Sequence, residues 1–435
     1  MKVLNAEKTI GIETFFTEKK GIGGKLRTQT KDFFVDELSN YPAKKSDGKF
    51  TIADITSNYW ETNLLIRELS NRLHISRQRI GFAGTKDKRA LTKQLMSFYK
   101  VDKERLSQVK IKDVEIENIY QSDHPIKIGT HIGNKFEIIV RNINSASLNN
   151  IDDIYSTFIR LGGYPNFYGI QRFGIIRPVT HIVGKYIVKE DFEKAVMTYI
   201  ANPIKGEDEE IYQLRKDLQE TYDFAKALIN YPNHLNFEKA ILNKLVVNEK
   251  DYIGALKELP KNLLTMFVYA YQSYLFNEIL STRIKKKITL NEAIVGDLIL
   301  PIRKGMVDQS EILVKKNNIE KVNKQISKSK AAVSGVLFGS DSVFSEGQMG
   351  EIEHKIIEQE KIDARDFIVP DIPFISSSGS RRPLLGFVKN LNYDLIDDDL
   401  SKEKKALKLN FELQKGSYAT SLLREFMKAK DIKNY

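Results

Sequence analysis

The sequence contains no cysteine. Disulfides, thiolate zinc sites and a Cys nucleophile are excluded together. Its six histidines, at 74, 124, 131, 181, 234 and 354, are scattered, and none stands in HxxxH or HxH spacing. A histidine-built metal site therefore has little support. No apolar run approaches the roughly 18 residues that a membrane-spanning helix needs. The first twelve residues lack the apolar core of a signal peptide, so a cytoplasmic protein is expected. No internal repeat recurs at a fixed period, and the Walker loop, the Rossmann fingerprint and the zincin motif are all missing.

Positive charge is plentiful. Lysine and arginine number 68 against 57 acidic residues, for a net charge of +11 and a pI near 9.2. Such a balance favours an anionic partner, nucleic acid first and anionic membrane second. With 41% hydrophobic residues the chain can build packed cores, and 435 residues suit two or three domains.

One loop concentrates the charge. Gly81-Phe82-Ala83-Gly84-Thr85-Lys86-Asp87-Lys88-Arg89-Ala90 carries a lone carboxylate, Asp87, between Lys86 and the pair Lys88 and Arg89. From Ser76 to Lys93 there are six basic residues and one acidic one. Nearby cations favour the charged form of a carboxylate and attract phosphates. Glycines let the backbone turn sharply or approach a ligand. An anion in a phosphate-attracting loop suggests a nucleophile or base aimed at a nucleotide. The plainer alternative is a carboxylate that caps a turn or pairs with a neighbouring cation in a solvated run.

Along the chain, Phe33 to Leu38 alternates as a strand, with Phe33 and Phe34 on opposite faces, one in the core and one needing a cover or a ligand. Trp60 to Leu73 has helical spacing, Ile80 to Ala83 and Leu91 to Tyr99 look extended, and His131 to Arg141 is a turn leading into a strand. In that strand Phe136, Ile138 and Val140 share a face, which pattern alone assigns to the core. The glycine- and aromatic-rich stretch 162–174 marks a domain boundary. Residues 186–280 read as mainly helical, most clearly from Leu263 to Leu280. The Lys-rich stretch 285–330 is expected to be a mobile loop or an RNA-facing surface. Asp397-Asp398-Asp399 offers carboxylates to a divalent metal, although a solvated loop explains the run more simply. Leu407 to Leu413 alternates as a strand. The loop after it opens a helix that Ser417 or Thr420 is expected to cap.

Five blocks in order resemble the TruD family of tRNA pseudouridine synthases. Gly81 to Thr92 resembles the family's FAGTKD signature. Asn166 to Gly174 resembles the motif opening its inserted domain, and Ala270 to Asn277 its AYQSYLFN helix. Gly379 to Leu385 resembles its RRPL turn, and Lys415 to Glu425 its terminal KGS…LLRE motif. Ahead of these blocks the stretch 26–38 departs from the family pattern: Arg27 stands where a lysine is usual, and Thr30-Lys31 where a Pro-acidic pair is usual. Tyr418 replaces the phenylalanine of some members.

The resemblance implies an α+β fold. A pseudouridine synthase core, a mostly antiparallel sheet flanked by helices, would comprise residues 1–162 and 386–435. An inserted α/β domain would comprise 163–385, with RNA in the cleft between them. It implies isomerisation of uridine to pseudouridine in tRNA, most often at position 13, with Asp87 as nucleophile and with neither cofactor nor metal. Phe33, Phe136 and Tyr418 would stack on the base, and Asn134 would read its edge. Lys86, Arg89, Arg381 and Arg382 would hold phosphates or the carboxylate. A monomer is expected, with tRNA as its partner and no membrane. The rival readings are a non-catalytic tRNA-binding or tRNA-folding module and a metal-dependent nuclease built on Asp397 to Asp399.

Overall fold

The computed structural model describes residues 2–303 and 305–435. It divides into two compact units. One comprises residues 17–164 and 386–435, and the other comprises the N-terminal stretch up to Phe16 together with 165–385.

The first unit is built on a mostly antiparallel sheet. Strand Phe33–Leu38 lies between Leu91–Tyr99 and Gly133–Ile143, parallel to the former and antiparallel to the latter. Phe50–Asn58 and Val114–Ser122 continue the sheet on one side, Lys405–Gln414 and Leu385–Asp397 on the other, all antiparallel. Burial follows the strand alternation: Phe33, Val35 and Glu37 are buried, and Phe34, Asp36 and Leu38 half-buried. The Phe33 face packs with Phe136, Ile138 and Phe411 under helices Asn150–Leu161 and Ala419–Met427. Further along the sheet, Ala53, Ile55, Met96 and Phe98 pack under Leu65, Ile66 and Leu69 of helix Thr62–Arg72. That helix starts two residues later than its apolar spacing suggests. Glu61 caps it, accepting from the Asn63 and Leu64 amides at 3.0 and 2.9 Å. Phe34, on the opposite face, lines an open hollow of about 390 Å³ with Ile139 and Ile396. Tyr418 occupies the N-cap position of helix Ala419–Met427, so neither Ser417 nor Thr420 does.

The second unit is largely helical. Its centre is the helix Lys261–Lys285, buried on most of its circumference, as expected of a helix surrounded by neighbours. The stretch from 285 to 330, read from sequence as loop or surface, contains regular structure. Strands Leu298–Arg303 and Ile312–Leu313 pair with each other, and Ala331–Leu337 pairs with the first of them. Helix Ile319–Ile326 packs on this sheet through Val322. Residues up to Phe16 were grouped by sequence with the other unit. Here their carbonyls are fixed on the central helix: Asn277 Nδ2 donates to Ile10 O at 2.8 Å, and Ser281 Oγ to Gly11 O at 2.8 Å. Asn277 belongs to a block whose role was not evident from its sequence, and its buried amide now has one.

No helix among the described residues is long and apolar enough to cross a membrane.

Candidate active site

The loop 83–90 leaves the short strand Ile80–Phe82 and leads into Leu91–Tyr99. Gly81 permits the close packing at its start. A Cβ there would fall 2.3 Å from Ile126 O and 2.5 Å from Ser97 Oγ, which no side chain tolerates. Beyond it, the Lys86 amide donates to Thr62 Oγ1 at 2.8 Å, at the start of helix Thr62–Arg72. The loop is thus tied down on both sides of its turn.

Asp87 is exposed, its side chain 57% accessible, and its partner comes from a distant part of the chain. Arg27 Nη2 donates to Asp87 Oδ2 at 3.0 Å. Arg27 is itself nearly covered and stacks its guanidinium over the Phe33 ring, 3.9 Å from the centroid. A planar guanidinium suits both roles at once. Burial pulls Arg27 below its ordinary pKa, with Asp87 opposing and Arg89 adding to the fall. Arg27 also has φ +55°, a left-handed conformation it shares with other non-glycine residues of the chain such as Tyr59 and Lys100. The sequence marked Arg27 only as a departure from a family pattern. Its separation of 60 residues from Asp87 hid the pairing.

Lys86, expected to hold phosphate, points inward instead. Its ammonium pairs with Glu37, whose carboxylate is completely buried and also accepts from Ser39 Oγ at 2.7 Å. Desolvation explains the pairing: a buried carboxylate demands a compensating charge. Arg89 is exposed and forms no ion pair among the described residues, so it keeps its charge toward solvent. Lys88 lies 5.0 Å from the centroid of the Tyr59 ring.

Phe33 and Phe136 are 2% and 7% exposed. Their rings meet edge to face at 6.3 Å, and Phe136 stacks on Phe411 at 5.2 Å. The core assignment that pattern alone gave Phe136 describes these contacts well. Asn134 lies opposite Glu37 in the strand register. Its Oδ1 is buried without a hydrogen-bond partner. The same is true of His131 Nδ1, a residue the sequence reading left aside. The His131 ring lies beside the loop, with Cε1 3.4 Å from where a Cβ of Gly84 would stand. Burial pulls this imidazole below its ordinary pKa, while Glu37 pushes it up and Lys86 and Lys415 push it down. Tyr418, at the start of helix Ala419–Met427, is half-buried, and its carbonyl accepts from Tyr164 Oη at 3.3 Å.

The arginine pair of the RRPL turn belongs to the other unit, and one assignment there must be corrected. Arg381 is buried. Its guanidinium donates to Glu353 at 2.7 Å, to Ser334 Oγ at 2.9 Å and to Ser345 Oγ at 2.9 Å. A buried guanidinium whose three nitrogens all donate to protein acceptors is a structural staple and is not presented to a phosphate. Arg382 stacks over Tyr168 at 4.1 Å and donates to Asn166 Oδ1 at 2.6 Å. The acidic run is likewise committed to protein cations. Arg141 pairs with both Asp398 and Asp399, and Lys405 with Asp397. Among the described residues no group of three His, Asp or Glu side chains could hold a metal ion. The nuclease reading loses its site.

Residues 9–426 match the family described as tRNA pseudouridine synthase D (TruD). A Methanococcoides burtonii protein named "Probable tRNA pseudouridine synthase D" is 42% identical over 436 residues, covering 99% of each chain. A Thermococcus sibiricus protein of the same name is 34% identical, covering 95% of this chain and 97% of its own. The crystal structure of the TruD protein of Methanosarcina mazei superposes with a TM-score of 0.89 at 39% identity, covering the whole of both chains.

Proposed function

The chain belongs to the TruD family of tRNA pseudouridine synthases, and from that premise we propose that it converts uridine to pseudouridine at position 13 of tRNA, with Asp87 as the nucleophile. The observation that carries this reading is the exposed carboxylate of Asp87, held at 3.0 Å by a nearly buried arginine. A carboxylate that served only to pair with a cation would have no need of an arginine itself braced on an aromatic ring.

The reaction breaks the bond between ribose C1′ and uracil N1 and forms one between C1′ and C5. C5 loses a proton and N1 gains one, so the product is an isomer. The detached base must be kept in place while it turns. Asp87 forms a transient covalent bond, either to ribose C1′, which occupies the sugar carbon while the base turns free of it, or to base C6, which tethers the base itself. Arg27 fixes the direction of its carboxylate, and Arg89 adds positive potential for the RNA backbone. The base leaves its stack and is held by aromatic surface, for which half-buried Tyr418 is accessible while Phe33 and Phe136 lie in the core. Such stacking contributes roughly 1–3 kcal/mol per base. Asn134 Oδ1, a buried acceptor without a donor, suits the N3–H of uracil. We assign catalysis to the unit formed by residues 17–164 and 386–435 and the role of inserted domain to 165–385, with which the first sixteen residues pack.

The test is an unmodified tRNA transcript incubated with wild type and with Asp87→Asn, followed by chemical mapping of pseudouridine. Wild type should modify position 13. The variant should make no product while binding tRNA within about threefold of wild type, since its cationic surface is unchanged. Tight binding by wild type with no product would favour a non-catalytic tRNA-binding module.

A further inference from the structure

The chain's positive charge is unevenly spread. Between residues 315 and 330 there are six lysines and a single acid, Glu320, a net +5 of the whole chain's +11. All six, Lys315, Lys316, Lys321, Lys324, Lys328 and Lys330, are exposed, and none forms an ion pair among the described residues. Elsewhere in this unit Lys194 pairs with Asp191 and Lys285 with Glu13, whereas Lys257 and Lys361 are exposed without an ion pair among the described residues, so it is the density of cations between 315 and 330 that sets this segment apart.

The lysines stand on a fixed support. Helix Ile319–Ile326 buries Val322. The next residue, Asn323, clamps the helix to residue 293: its Oδ1 accepts from Ala293 N at 2.8 Å, and its Nδ2 donates to Ala293 O at 3.1 Å. Ahead of the helix Asn318 does the same for the entering loop, accepting from Lys315 N at 2.8 Å and donating to Leu313 O at 3.0 Å. Lys321 and Lys324 are three residues apart, so they share a helix face about 4.5 Å apart along the axis. Lys328 lies just beyond the end of the helix, in the turn that follows its C-cap Ser327. A row of cations at this pitch, held rigidly and left without counter-ions, is costly in self-repulsion unless a polyanion meets it.

We propose that this lysine ridge docks the phosphodiester backbone of tRNA, forming an anchoring surface separate from the residues around Asp87. The proposal rests on the reading of tRNA as substrate. Charge complementarity selects the partner: phosphates recur along one RNA strand with a regular spacing, and lysines on one helix face answer it without reading bases.

The experiment compares wild type, a Lys321→Gln/Lys324→Gln/Lys328→Gln variant and the corresponding triple Arg variant on one tRNA transcript, across a range of salt. Thermal melting confirms that each is folded. The Gln variant should raise KM about tenfold near 0.1 M salt, leave kcat unchanged, and reduce the slope of log KM against log salt by about 2–3, close to one for each lost phosphate contact. The Arg variant should keep the wild-type KM and slope, because charge alone is required. A folded Gln variant with wild-type KM and slope would overturn the ridge as an RNA anchor. So would one whose only loss is binding to phosphatidylserine vesicles. Failure of the wild type to modify any tRNA would instead bring down the reading of the substrate.

Discussion

At Asp87 the local chain supplies the carboxylate and its cationic neighbours, but its hydrogen-bonded partner is remote. Arg27 is the residue whose loss should be felt most directly. Arg27→Ala should lower kcat by about 10–100-fold, the equivalent of one charge-assisted hydrogen bond of roughly 1.5–3 kcal/mol. KM for tRNA should change little, since Arg27 is nearly buried and faces Asp87. Arg27→Lys should recover part of the rate, because an ammonium restores the charge while lacking the planar stack on Phe33. Steady-state kinetics on a transcript decide this, and a wild-type kcat for Arg27→Ala would remove Arg27 from the site. Lys86 teaches the opposite lesson. It stands next to Asp87 in sequence, yet Glu37 claims its ammonium. Adjacency in sequence gave no sign of which way the side chain turns.

Elements carry two further expectations. The strand bearing Arg381 is bonded to helix Gly347–Glu360 through Glu353. Arg381→Ala should lower stability by about 3–5 kcal/mol, the usual cost of leaving one partner of a buried pair uncompensated. Denaturant unfolding measures it. A wild-type unfolding curve with a raised KM for tRNA would return Arg381 to RNA binding. The central helix Lys261–Lys285 holds a second titrating device. Burial, reinforced by Glu13, pushes the Glu278 carboxyl up to about 7. On the neighbouring helix, burial pulls the His181 imidazole down to about 4, and its ring stacks on Tyr274 at 5.1 Å. Glu278 binds its proton more tightly when folded, so its contribution to stability is full below pH 4.5 and is lost as pH rises to about 7. His181 works the other way, losing stability as pH falls from 6.5 towards 4. In wild type the two slopes oppose each other. Glu278→Gln removes one of them, so its unfolding free energy, from denaturant curves, should gain on that of wild type between pH 4.5 and 7 by about 1–2 kcal/mol. Parallel free energies across that range would show that Glu278 titrates normally.

Across the whole molecule, much was legible before any coordinates. Period-two alternation marked the strands at Phe33 and Leu407, and helical spacing marked the helix after Trp60, because a buried face imposes its period on the residues that fill it. The Asp87 loop stood out by charge alone. What stayed hidden was of another kind. Residues 285–330 read as loop because short strands and an eight-residue helix carry too little periodicity to rise above their lysines. Arg381 read as an RNA contact because a cation that satisfies a buried carboxylate is the same letter as one that meets a phosphate. The sequence by itself determined the class of elements, the basic character, the absence of thiol chemistry and the family, since these depend on composition, period and ordered motifs. Tertiary structure alone decided which cation meets which anion: Arg27 with Asp87, Lys86 with Glu37, Arg141 with Asp398. Those choices follow from burial, which makes an unpaired charge costly and so assigns the buried carboxylates of Glu37 and Asp398, and the nearly buried guanidinium of Arg27, partners that sequence distance cannot foretell.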